Sequence, residues 1–102
     1  MKFACDTKAF IAAMGVAGRV IPQKTHIPIL QTIKIVTNDS RVTLVGSDGD
    51  MTLEMDVVAT VQTEGVICLP FEPLSKFVGA SKSDSVTIEG GKDQATITNL
   101  FG

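Results

Sequence analysis

The feature that most constrains this sequence is an order of elements that occurs twice. A strand pattern at 2–5 leads into a helix that ends near Gly18, and alternating apolar residues then predict strands at 27–35, 41–45 and 51–57. After Glu64-Gly65 the order begins again, with a strand at 66–69, a helix at 70–80 and strands at 86–89 and 95–99. An offset of 63 residues aligns Cys5 with Cys68, Ile11 with Leu74 and Met14 with Phe77. We therefore predict a duplicated βαβββ unit.

This duplication predicts a single α+β domain over residues 1–102, with a first repeat at about 1–58 and an incomplete second repeat at about 64–102. In the second predicted strand, Ile27, Ile29, Ile33 and Ile35 are expected to share one face, with Pro28 at the start of the strand. Turns are expected at 38–40, 46–50 and 90–93. The chain ends at Leu100-Phe101-Gly102, where a third strand of the second unit is expected to follow.

The composition argues against most enzymes. The sequence has no Trp, no Tyr and five Phe, which argues against a base-stacking platform of the kind that binds single strands. Its one histidine, His26, leaves no histidine cluster for a metal, and Cys5 and Cys68 lie too far apart for a zinc or redox motif. Asp48-Gly49-Asp50 lacks the further oxygen ligands of a calcium loop and predicts a hairpin turn. We expect no catalytic residue, metal or cofactor.

The sequence also predicts a cytoplasmic protein. The apolar stretch 10–18 is too short to span a membrane and has neither the flanks nor the cleavage site of a signal peptide. The two cysteines, expected to be buried free thiols, suit a reducing compartment.

The charges are unevenly distributed along the chain. Residues 1–34 carry five cations against one carboxylate, and residues 35–102 carry four cations against ten carboxylates. In the first helix, Phe10, Ala13, Met14 and Ala17 fall on one side, while Lys8, Ala12, Gly15 and Arg19 fall on the other. We expect Lys8, Arg19 and the following Lys24 to form one cationic face, which would suit a polyanion.

Three segments together resemble the bacterial DNA polymerase III beta sliding clamp family, in its first domain. They are the opening Met1-Lys2-Phe3, the stretch 23–30 (QKTHIPIL) and the stretch 46–51 (GSDGDM), which enters an alternating strand. The resemblance implies a fold with two helices on one face of an antiparallel sheet. It also implies a non-catalytic ring that encircles duplex DNA and confers processivity on the replicative polymerase.

The resemblance implies that Lys24 contacts DNA, because family members carry a basic residue at that position. It implies three partners for the full-length protein besides DNA, namely a second clamp subunit, a polymerase and a clamp loader. Glu72 departs from the pattern, since some clamps place a cation there. The expected missing strand would make this chain a fragment. A small α+β module that binds proteins through a sheet edge is the alternative that the sequence leaves open.

Overall fold

The computed structural model describes residues 1–22, 24–81, 83–90 and 95–99. The elements in chain order are β1 (Lys2–Asp6), α1 (Thr7–Ala17), β2 (Thr32–Asn38), β3 (Arg41–Ser47), β4 (Thr52–Thr63), β5 (Gly65–Pro70), α2 (Phe71–Gly79), β6 (Ser85–Gly90) and β7 (Ala95–Asn99). Two short 3₁₀ helices, Gly18–Val20 and Pro28–Gln31, lie between α1 and β2. The expected order of a strand, a helix and further strands is therefore confirmed in both halves.

The strands form one antiparallel sheet in the order β5-β2-β3-β4-β1-β6-β7. The long strand β4 holds its two halves together, because Thr52–Val58 pairs with β3 and Ala59–Thr63 pairs with β1. Both units of the predicted repeat thus contribute to one continuous surface.

The core lies between this sheet and the two helices. Its largest fully buried side chains come from six elements and are Phe3, Phe10, Ile33, Ile35, Val42, Leu44, Val78, Val86 and Ile88. Strand residues that alternate with them point to the opposite face, and both helices contribute to the same core cluster. The predicted α+β fold with two helices on one face of the sheet is confirmed. Each such side chain contributes about 1.5–3 kcal/mol through burial.

The segment before β2 differs from the expectation. Ile27 and Ile29 were expected on a strand with Ile33 and Ile35, but residues 28–31 form a 3₁₀ helix and Ile27 is 54% exposed. The N–H of Leu30 donates to the carbonyl of Ile27 at 3.0 Å, which closes this turn. Pro28 explains the difference, because its fixed φ and missing N–H suit the first position of a helical turn.

The alignment of the two helices by 63 residues is wrong by one position. Ile11 is 36% exposed and Phe77 is 46% exposed, so neither matches the buried residue with which the offset paired it. The N-caps of the two helices are Asp6 and Pro70, which sets the structural offset at 64 and pairs Phe10 with Leu74. A shift of one residue moves a strand side chain to the opposite face.

The same shift explains why Cys68 is exposed and not buried as expected. In β5, Ile67 and Leu69 face the core, so Cys68 faces solvent, whereas Cys5 in β1 is buried as expected. The bounds of the two repeats stay a prediction.

Two further expectations concern strand ends. The strand expected at 51–57 begins at Thr52 and continues to Thr63, and Met51 before it is 56% exposed. The continuation pairs with β1, a distant partner that local alternation does not reveal. Of the turn expected at 90–93, Gly90 ends β6 and the rest lies outside the described residues. In the described part of the chain, no helix is long and apolar enough to cross a membrane.

Candidate nucleic-acid interface

Helix α1 turns one face to the sheet and the opposite face to solvent. Its N-cap is Asp6, whose carboxylate accepts a hydrogen bond of 2.9 Å from the N–H of Ala9. The helix buries Thr7, Phe10, Ala13, Met14 and Ala17. Lys8, Ala12 and Gly15 on the other face are exposed, as the helical periodicity predicts. We call the exposed side of α1 and α2, opposite the sheet, the helix-layer surface.

Two of the three expected cations follow the C-terminal end of α1. Arg19 lies in the 3₁₀ helix that continues from α1, and Lys24 follows Pro22 in the loop toward β2. Both side chains are exposed. Within the described part of the chain, neither forms an ion pair, because the two pairs found there are Lys2 with Glu89 and Arg41 with Asp56. Their charges are therefore available to an anionic partner.

A groove of about 260 Å³ lies between the segment that follows α1 and the start of α2. Its lining residues are Gly18, Ile21, Pro22, Gln31, Pro70, Phe71, Glu72 and Pro73. The Phe71 ring lies so close to Gly18 that a Cβ there would collide with it. The helices thus approach closely at this end, and Glu72 brings a carboxylate next to the segment that carries Arg19.

Lys8 lies at the other end of α1. Eleven residues separate it from Arg19, which corresponds to roughly 16 Å along a helix axis. It lines a second groove together with Asp6, Thr7, Ile11, Ser81, Ser83 and Asp84. Among the described residues that line this groove, two carboxylates accompany one cation. The sequence could not indicate this, because Asp84 lines the same groove as Lys8 only through the tertiary fold.

Arg19 and Lys24 follow the same end of α1, whereas Lys8 lies in its first turn and borders a groove that Asp6 and Asp84 also line. That the three cations form one cationic face stays a prediction. The other two cations of residues 1–34 lie on the sheet surface opposite the helices, where Lys2 pairs with Glu89 at 3.8 Å and Lys34 alternates with buried Ile33 and Ile35.

The helix-layer surface of α2 carries one residue of each charge. Leu74 and Val78 point into the core, and Glu72 and Lys76 are exposed. A four-residue spacing on a helix favours an ion pair, but among the described residues none joins these two side chains. Periodicity alone could have placed both on the exposed face, yet it could not show that Glu72 borders the groove beside Arg19.

The residues considered for catalysis or metal binding include Asp48, His26 and Cys5. The Asp48 carboxylate accepts hydrogen bonds from the N–H groups of Met51 and Asp50 at 2.7 and 2.8 Å, which lowers its pKa and forms the turn. Gly49 has φ of 98°, a left-handed conformation that favours glycine. Among the described residues, no three His, Cys, Asp or Glu side chains form a metal-binding group, and His26 is exposed. Burial, with a smaller effect of Asp6, raises the pKa of the Cys5 thiol to about 12, which makes it unreactive.

Comparison with known proteins agrees with this architecture. Residues 1–100 match the family model described as "DNA polymerase III beta subunit, N-terminal domain". The beta sliding clamp of Bacillus subtilis is 29% identical over 105 residues, a match that covers 95% of this chain and 28% of that protein. The beta sliding clamp of Streptococcus pneumoniae is 38% identical over 52 residues, which covers 51% of this chain and 14% of that one.

The fold gives the same result. The crystal structure of the DNA polymerase sliding clamp from Bacillus subtilis superposes with a TM-score of 0.91 at 27% identity, covering 97% of this chain and 28% of that one. The chain therefore spans less than a third of the length of these relatives. Since the family match extends over nearly all of its residues, the chain belongs to the family of DNA polymerase III beta subunit N-terminal domains.

Proposed function

We propose that this chain is part of a ring-shaped sliding clamp that encircles duplex DNA and confers processivity on a replicative polymerase. The observation that carries the proposal is the pair of exposed, unpaired cations Arg19 and Lys24 at the end of α1, in a chain of the beta subunit family. In this proposal the helix-layer surface faces the DNA and the opposite side of the sheet faces outward.

The mechanism needs little affinity. A closed ring is retained on DNA by its topology, so the contacts inside need only guide the duplex and must not hold it at one sequence. Phosphate contacts from lysine and arginine satisfy this, because they carry no base information and are screened by salt. Two exposed cations suit such contacts, and in this proposal the subunit performs no catalysis and needs no cofactor.

The proposal includes the partners that the resemblance implies: duplex DNA, a second clamp subunit, a polymerase and a clamp loader. It places the protein in the cytoplasm, which the two free thiols support. Of the three expected DNA-binding residues, Lys24 and Arg19 are proposed to contribute most to DNA binding. Lys8 is retained with a smaller expected contribution, because Asp6 and Asp84 share its groove.

The test is a comparison of Lys24→Ala with Lys34→Ala in binding to a short DNA duplex. Both variants remove one exposed lysine, but Lys34 lies on the sheet surface opposite the helices. Affinity is expected to be in the non-specific range of about 10⁻⁴–10⁻⁶ M or weaker. Lys24→Ala should weaken binding equally for all sequences and reduce the slope of log K against log salt by about one, as measured by fluorescence anisotropy.

Equal, negligible effects of the two variants would contradict the proposal. They would favour the second candidate, a module that binds proteins through a sheet edge. One observation supports that candidate: β5 is an edge strand among the described strands, and its six residues, 65–70, are uncharged.

A further inference from the structure

Two glycines allow neighbouring elements to approach the C-terminal end of α1 closely, and neither has a backbone conformation that requires glycine. Gly18, the C-cap of α1, has φ of −73°, a helical value that any residue can adopt. Among the described glycines only Gly49 has a positive φ, so Gly46 in β3 is not in the left-handed region either. A Cβ at position 18 or 46 would nevertheless collide with a neighbouring element. Space, and not backbone conformation, therefore requires glycine at both positions.

At Gly18 the neighbour is the ring of Phe71, the first residue of α2. A Cβ on Gly18 would collide with the Cζ and Cε1 atoms of that ring. The ring is partly buried and packs against the core, as Ile21 does. The N–H of Ile21 donates to the carbonyl of Gly18 at 3.1 Å, which closes the 3₁₀ turn that contains Arg19. The ring therefore packs against the residue at which this turn begins.

At Gly46 the neighbour is the backbone of α1 itself. Gly46 is buried in β3, and a Cβ there would collide with the carbonyl oxygen of Ala17. A backbone carbonyl cannot rotate aside as a side chain can, so glycine is needed for the last turn of α1 to lie this close to the sheet. The same Cβ would lie 3.2 Å from Cγ1 of Ile21. Strand β3 and the first residue of α2 thus hold this segment from two sides.

Arg19 is the exposed residue of the turn that is held in this way. Among the described residues it forms no ion pair. A side chain on a fixed backbone loses less conformational entropy on binding than one on a mobile segment. Lys24 lies beyond Pro22, outside the turn that the hydrogen bond of Ile21 closes. The contact at Gly18 therefore bears on Arg19 more directly than on Lys24.

We propose that Phe71 is a positioning residue for Arg19, and that Gly18 provides the space which this packing requires. This inference rests on the proposed function, in which Arg19 contacts a phosphate of DNA. Phe71 acts through the backbone, because its ring fixes the start of the turn. The close contact between Gly46 and Ala17 leaves the turn no room to move toward the sheet. The second half of the chain thus determines where a cation of the first half lies.

The experiment is a double-mutant cycle between Gly18→Ala and Arg19→Ala, measured as binding of a short DNA duplex over a series of salt concentrations. Arg19→Ala alone should weaken binding by up to about fivefold and reduce the salt slope by about one. In the Gly18→Ala protein the same substitution should have no further effect, because the collision with the ring has already displaced the arginine. Lys24→Ala should weaken binding equally in both backgrounds. A general loss of packing would not produce this selective effect.

Two further variants identify the cause. Gly79→Ala is the matched control, since a Cβ on this exposed glycine of α2 would point into open space, and it should leave binding unchanged. Gly18→Ala/Phe71→Leu lacks the ring atoms with which the new Cβ collides, so it should recover most of the binding and the effect of Arg19→Ala. Should thermal unfolding show that Gly18→Ala does not fold, the cycle is run with Phe71→Leu alone, which removes the ring contact and should likewise reduce the effect of Arg19→Ala.

An effect of Arg19→Ala that is the same with and without Gly18→Ala would show that the packing at Gly18 does not position Arg19, and the proposed function would then stand. Failure of Phe71→Leu to rescue Gly18→Ala would likewise overturn the inference. If neither Arg19→Ala nor Lys24→Ala weakens binding in the parent protein, the proposed function itself fails, and the inference fails with it.

Discussion

The strand and helix that begin the chain, β1 and α1, differ sharply in pairing and burial from β5 and α2, although in both cases the strand leads directly into the helix. Strand β1 is paired on both sides, by β4 and β6, whereas β5 pairs among the described strands with β2 only. Helix α1 buries five residues and α2 buries two. The unit with the more central strand thus also has the more deeply buried helix.

The largest difference should appear in the two cysteines. Cys5 in β1 is 7% exposed and its thiol has a raised pKa, whereas the Cys68 side chain in β5 faces solvent. In the folded protein, iodoacetamide should alkylate Cys68 at least about 10³-fold faster than Cys5, because Cys5 reacts only after unfolding. Mass spectrometry of digested protein gives both rates. Equal alkylation rates of Cys5 in the folded protein and in concentrated guanidinium would contradict the assignment.

Truncation of core residues tests whether the helices correspond at an offset of 64. Phe10→Ala and Leu74→Ala should each lower the free energy of unfolding by about 2–5 kcal/mol, because both side chains are buried. The variants Ile11→Ala and Phe77→Ala should cost much less, about 1 kcal/mol or below, since those side chains are partly exposed. Urea unfolding measures all four. A greater loss at Phe77 than at Leu74 would restore the offset of 63.

The smallest effect should come from the helix caps. Asp6→Ala should destabilise the protein by about 0.5–2 kcal/mol, because the N–H of Ala9 loses its side-chain acceptor. Pro70→Ala should change stability less, since Pro70 makes no side-chain hydrogen bond to α2. The same urea measurement distinguishes them, and Asp6→Asn, which keeps an acceptor, should recover most of the loss.

Much of the fold could be predicted from local patterns. The alternation of Ile33 and Ile35 and the turn at Asp48 depend on neighbouring residues, so the sequence carries their signal. The family resemblance is confirmed by a match over residues 1–100. The second half of β4 was not predictable, because its pairing partner β1 lies far away in the sequence.

The candidate site was less predictable. Helical periodicity indicated that Lys8, Ala12 and Gly15 are exposed, and the structure agrees. It could not show that Asp84 lines the same groove as Lys8, or that Glu72 lines the groove bordered by Gly18 and Ile21, because Asp84 and Glu72 come from the other half of the chain. Electrostatic surroundings depend on tertiary contacts, which a single helix pattern does not contain.

The central place of β1 has a consequence for how the chain folds. Lys2 pairs with Thr63 on one side and with Glu89 on the other, so β1 obtains its second neighbour only after β6 has been made. Closing such long loops costs entropy before any contact repays it, which slows folding. During synthesis β1 must therefore wait with one edge open until translation has passed β6.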